Sequence, residues 1–118
     1  MSVQSYRELI VWQKSMKLAK AVYKLISFLP KDEVFGLSSQ MKRCAISIPS
    51  NIAEGSRRGT PKDFRHFLFI AFGSGAELET QLELCKELFP IDVNEYTEAV
   101  ELLDEVMKML NKLSKSIV

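Results

Sequence analysis

The chain has 118 residues, 47% of them hydrophobic and 26% charged, with a formal net charge of +1. That length and balance give one folded domain with a core of its own, and they exclude a disordered chain. A single histidine and two cysteines exclude His-rich and two-His metal sites, and no apolar run is long enough to span a bilayer.

The first helix is predicted over residues 5–28. Ser5 and Glu8 make a capping box, with Ser5 as N-cap and Glu8 at N3. Leu9, Trp12, Met16, Ala19, Tyr23 and Ile26 form a heptad-like seam for the core. Val11, Leu18, Val22 and Leu25 form a second stripe, so the apolar arc covers roughly half the circumference. One stripe for the core and another for a neighbour assigns Val11, Leu18 and Val22 to a subunit interface. The remaining side carries Arg7, Lys14, Lys17, Lys20 and Lys24, a stripe able to follow a phosphate backbone or simply to be the wet face.

Leu29-Pro30-Lys31-Asp32 breaks the chain, and Asp32 or its neighbours open a second helix over 32–55. Val34, Leu37, Met41, Cys44, Ala45, Ile48 and Ile52 face inward; Lys42 and Arg43 face outward. Pro49 lies inside this helix, where it removes a donor and crowds the carbonyl of Ala45, so a kink is predicted. Ser47, Asn51 and Glu54 recur at i, i+4 and i+7. This stripe is either a solvated face or a hydrogen-bonded strip against a neighbouring helix or subunit. Gly55-Ser56-Arg57-Arg58-Gly59 then reads as a glycine-bracketed turn.

A third helix is predicted over 61–88, with Thr60 as N-cap, Pro61 at N1 and Asp63 at N3. Its seam is Phe64, Leu68, Ala71, Gly75, Leu78, Leu82 and Cys85. Phe69, Ile70 and Phe72 point off that seam, and a helix apolar nearly all round must be buried nearly all round. These three are assigned to a subunit interface. A fourth helix over 93–116 starts at a second capping box, Asp92 with Glu95. Tyr96, Ala99, Leu103, Val106, Leu110, Leu113 and Ile117 form its seam, with Glu95, Glu98, Glu101 and Glu105 outside. Four long helices with short breaks predict an all-α, up-down-up-down antiparallel four-helix bundle in a single domain.

The net charge conceals an asymmetry. Residues 1–66 carry 12 Lys/Arg against 5 Asp/Glu, and residues 67–118 carry 4 against 10. Such a split steers an anionic partner to one surface, or joins basic helices to acidic ones between subunits. Arg57, Arg58, Lys62 and Arg65 gather at a turn and the following helix N-terminus, a setting suited to phosphate unless the arginines pair with Glu54 or Asp63. Together with Lys14, Lys17, Lys24, Lys42 and Arg43 they are the candidate nucleic-acid contacts. No RNA-recognition motif or aromatic stacking platform is apparent, so binding is expected to be driven by the backbone.

Catalytic constellations are missing. His66 next to Arg65 reads as a surface or interface residue. Ser39-Gln40-Met41-Lys42 matches S-x-x-K by letters only, without its S-D-N and K-T-G partners. Gly73-Ser74-Gly75 has neither the lysine nor the strand of a phosphate loop, and its small residues suit close helix packing. The expectation is a protein that is not an enzyme and takes no cofactor or metal. Cys44 and Cys85, without metal-ligand spacing, read as buried reduced thiols, and Met1–Glu8 is too polar for a signal peptide. Both point to the cytoplasm and away from a membrane.

The segment Ser47-Ile48-Pro49-Ser50-Asn51-Ile52-Ala53-Glu54-Gly55 resembles the four-helix bundle proteins encoded in bacterial rRNA intervening sequences. So do the apolar run to Gly73-Ser74, Ala76–Leu82, Val11–Lys14, Phe35–Met41 and Leu102–Glu105, in the same order and spacing. The resemblance implies a bundle that assembles as a ring, most simply a homopentamer. A related member, the accessory protein of diversity-generating retroelements, is a basic pentamer associated with RNA and a reverse transcriptase. The function this implies is a nucleic-acid-associated accessory protein; the alternative is a protein-interaction scaffold ring with no nucleic-acid role.

Overall fold

The computed structural model describes residues 5–31 and 36–117. Asp32 and Val34, placed above near the start of the second helix, lie outside the described residues. Among those described the regular structure is wholly helical: a 3-10 turn at Tyr6–Glu8, then α1 (Ile10–Ile26), α2 (Leu37–Arg57), α3 (Pro61–Leu88) and α4 (Val93–Ser116). The last two helices begin where their caps require. Thr60 accepts from the Asp63 amide at 3.1 Å, and Asp92 accepts from the Glu95 amide at 3.0 Å.

The first two helices depart from the sequence reading at their ends. Ser5 caps only the 3-10 turn, accepting from the Arg7 amide, and Leu9 is extended (φ −72°, ψ 126°), so α1 starts afresh at Ile10. α2 runs unbroken through Pro49 and past Gly55 to Arg57; the glycine that turns the chain is Gly59, at φ 86°. Gly55 is instead buried inside the helix, where a Cβ would lie 2.6 Å from the Phe67 Cβ of α3. It is there to let two helices approach.

Each helix packs on two neighbours, α1–α2, α2–α3, α3–α4 and α4–α1, while among the described residues no Cα atoms of the diagonal pairs come within 8 Å of each other. Neighbours run antiparallel. Tyr23 of α1 meets Lys42 near the start of α2, while Tyr6, in the turn before α1, meets Arg57 at its end. Ser47 meets Ser74 between α2 and α3, and Lys14 meets Glu105 while Lys24 meets Glu95 between α1 and α4. The molecule measures 45 × 24 × 20 Å. All seven positions of the α3 seam, Phe64 to Cys85, are buried. They meet Met41, Ile48 and Ile52 of α2 and Leu103, Val106 and Leu110 of α4 in one core. Each such large side chain stabilises the fold by about 1.5–3 kcal/mol through burial.

The two stripes of α1 exchange roles. Val11, Leu18, Val22 and Leu25 are the core stripe, each almost wholly buried within the single chain. Val11, Leu18 and Val22 therefore do not form a subunit interface. Ser15 sits fully buried among them and disguises the stripe in the sequence; its hydroxyl donates to the Trp12 carbonyl at 2.8 Å, so it needs no partner outside the helix. Of the heptad-like residues, Ile26 joins this core, whereas Trp12, Met16 and Ala19 stand at its outer side. With Tyr6 and with Ile46, Pro49, Ser50 and Ala53 of α2 they line an open groove of about 360 Å³.

Candidate nucleic-acid interface

The extended residue Leu9 folds the 3-10 turn back onto the C-terminal end of α2, and the tight turn at Gly59 places the start of α3 beside it. Basic side chains collect there on aromatic rings. The Arg7 and Arg57 guanidinium groups lie 4.8 and 5.6 Å from the centre of the Tyr6 ring. Arg58 lies 5.0 Å from the Phe67 ring, and Arg65 lies 5.4 Å from Phe69. Rings of this kind hold a guanidinium in place while its N–H edge stays in water, for about 0.5–1 kcal/mol at an exposed site. The sequence showed no aromatic platform; the rings are present at this end, as supports for arginines.

Among the described residues only one of these cations has a carboxylate partner. Arg58 donates to Glu54 at 2.6 Å, so pairing within the turn holds at that residue. Among the described residues Arg57, Lys62 and Arg65 have no carboxylate within 4.0 Å. The unpaired amides of the first turn of α3 add partial positive charge at the same end.

The basic stripe of α1 has a different fate. Lys14 bridges to Glu105 at 2.9 Å and Lys24 to Glu95 at 3.2 Å. Lys17 and Lys20 share a groove with Glu98 and Glu101 of α4. Basic and acidic helices thus pair inside one chain. Lys42 lies 5.2 Å from the Tyr23 ring, and it and Arg43 stand toward the opposite end of the bundle. Of the nine candidate contacts, the structure gathers Arg57, Arg58, Lys62 and Arg65. It adds Arg7, which the break at Leu9 detaches from the α1 stripe.

Of the polar stripe of α2, Ser47 reaches α3, Asn51 bonds back to Ser47, and Glu54 pairs with Arg58 at the end of its own helix. The Ser47 and Ser74 hydroxyls lie 2.8 Å apart, Asn51 donates to the Ser47 hydroxyl at 2.9 Å, and the Gln81 amide donates to Cys44 Sγ at 3.4 Å. Burial raises the Cys44 pKa, with Gln81 opposing and Glu77 reinforcing, and burial alone raises that of Cys85. Both shifts favour the thiol over the thiolate. Among the described residues no group of three His, Cys, Asp or Glu side chains is placed to hold a metal, and no helix is long and apolar enough to cross a membrane.

The three predicted interface residues of α3 do stand clear of the core. Phe69 is 53% exposed, Ile70 39% and Phe72 38%.

A family model described as 23S rRNA-intervening sequence protein matches residues 7–112. The chain is also similar to the crystal structure of a protein of unknown function from the S23 ribosomal protein family of Bacteroides thetaiotaomicron VPI-5482. The two are 30% identical, with a TM-score of 0.80, over 90% of this chain and 96% of that one. No curated protein matches.

Proposed function

The chain belongs to the 23S rRNA-intervening sequence protein family, and from that membership and its charge distribution we propose that it is a non-enzymatic, self-associating protein of the cytoplasm that binds RNA through phosphate contacts. The observation that carries this is the end of the bundle where Arg7 and Arg57 share the Tyr6 ring and Lys62 and Arg65 lie in the first turns of α3, none with a carboxylate within 4.0 Å among the described residues. Cations fixed on rings beside helix amides recognise a phosphate chain by charge and spacing, with little preference for base. Self-association repeats the cluster in each copy and turns a weak contact into avidity; a homopentameric ring is the form the family resemblance implies.

The test is light-scattering mass on the purified protein, with and without a short structured RNA at low salt. RNA mass should be gained at low salt and lost as salt rises. Four phosphate contacts per copy imply a loss of about a hundredfold in affinity between about 50 and 200 mM salt. Charge reversal with Arg57→Glu and Arg58→Glu should lower affinity at least tenfold. Unchanged binding by that variant, or no binding at low salt, removes the proposal. A second reading, a scaffold without nucleic acid, draws on the lysines of α1, which α4 already neutralises. An oligomer indifferent to RNA would establish it.

A further inference from the structure

The groove between α3 and α4 has the opposite chemistry to the basic end. Leu82 and Leu103 form its floor, and the half-buried Tyr96 and the 38%-exposed Val100 line it beside them, around a space of about 310 Å³. Exposed carboxylates flank these apolar residues, Glu79 and Glu83 one turn apart on α3 and Glu101 and Asp104 on α4. Two of the four are already committed: Asp104 holds Lys108 at 3.0 Å, and Glu101 also borders the lysines of α1. Glu79 and Glu83 are not. Among the described residues neither has a Lys or Arg nitrogen within 4.0 Å, and Lys86, one turn beyond Glu83, lies 5.8 Å from the Tyr96 ring.

We propose that this groove docks a basic segment of a partner protein, whose apolar side chain lies on Leu82, Val100 and Leu103 while lysines or arginines beside it reach Glu79 and Glu83. Charge and shape select that occupant. A nucleic acid is repelled by the two uncommitted carboxylates. A metal ion has no seat, since among the described residues no three His, Cys, Asp or Glu side chains are gathered to hold one. A free polyamine meets the carboxylates but brings only methylenes to the floor. A segment with both an apolar anchor and cations satisfies floor and rim together, as amphipathic helices do in the grooves that bind them. Arg65 stands about 20 Å back along the same helix, so a basic partner here leaves the basic end open to a phosphate chain.

The probe is a fluorescein-labelled peptide in which one leucine stands between two pairs of lysines, read by fluorescence anisotropy at low salt. It should bind, and serine in place of its leucine should weaken binding at least tenfold, because the anchor is what the floor buries. On the protein, Glu79→Lys with Glu83→Lys should also weaken it at least tenfold. Glu87→Lys, on the same helix but outside the groove, should change it less than threefold. All these positions are exposed, and circular dichroism melting confirms that each variant folds. Arg57→Glu with Arg58→Glu should leave the peptide bound as before, so failure of the RNA reading and failure of this one are separate results. No binding at low salt overturns the proposal, as do equal affinities for the leucine and serine peptides or an equal loss with Glu87→Lys. Displacement by spermidine at the same amine concentration would make the occupant a small polyamine instead. A peptide that dissociates the protein's own oligomer would show that a second copy covers the groove, and would overturn it too.

Discussion

At the residue scale, glycine does three different things here, and alanine at each position should report it. At Gly55 a Cβ would stand 2.6 Å from Phe67 Cβ and 3.3 Å from the Phe64 carbonyl oxygen. The backbone cannot yield cheaply, so Gly55→Ala should destabilise by about 1–3 kcal/mol despite its better helix propensity. At Gly73, exposed and with nothing within 4 Å, the same change should stabilise by about 0.5–1 kcal/mol. Urea midpoints at one protein concentration check both signs. Gly59, at φ 86°, would be strained by any side chain. The sequence distinguishes poorly among these roles. A glycine near the end of a periodic pattern reads as a helix stop, which is how Gly55 reads, and only the neighbouring helix reveals that Phe67 needs its space. Ser15 misleads in the same way: a serine in an apolar stripe looks like a surface position until its hydroxyl is seen to be satisfied by its own helix.

At the scale of the element, α3 and α4 were legible because their starts carry chemical signals, Thr60-Pro61 and Asp92 with Glu95, and their seams are unambiguous. α1 was not, since two stripes of similar hydropathy lie side by side and periodicity gives no direction to the core. The same limit affects its lysines, whose charge is plain in the sequence while the carboxylates opposite them are not. Lys14 and Glu105 are both partly exposed, so their bridge should be worth less than about 1 kcal/mol. Lys14→Gln should therefore shift stability little. In RNA titrations it should change affinity less than threefold, against tenfold or more for reversal at Arg57 and Arg58. Equal losses would move the site from the α2–α3 turn to α1.

For the whole molecule, the sequence carries the number of helices, their order and the split of charge, but not which flanks meet. The square arrangement decides that: it sets α1 against α4, so that part of the charge asymmetry is spent inside the chain, and leaves the α2–α3 end basic. The candidate site was legible in part, as four cations at a turn, while its supporting rings and the addition of Arg7 depend on the fold at Leu9.

The ladder between α2 and α3 has a kinetic consequence. A turn of three residues, 58–60, closes this hairpin, so little chain entropy opposes its formation. Ser47, Ser74, Gly55 and Phe67 fit in one register only; a slip of one turn, about 5.4 Å, would part the hydroxyls and press Phe67 onto a residue with a Cβ. The hairpin should therefore form early and open last, with α1 and α4 docking on it afterwards. In hydrogen exchange, the amides of Ile48, Ile52, Leu68 and Ala71 should be the slowest in the chain, slower than those of Leu18 or Val106. Faster exchange in α2 than in α1 would show that folding starts elsewhere.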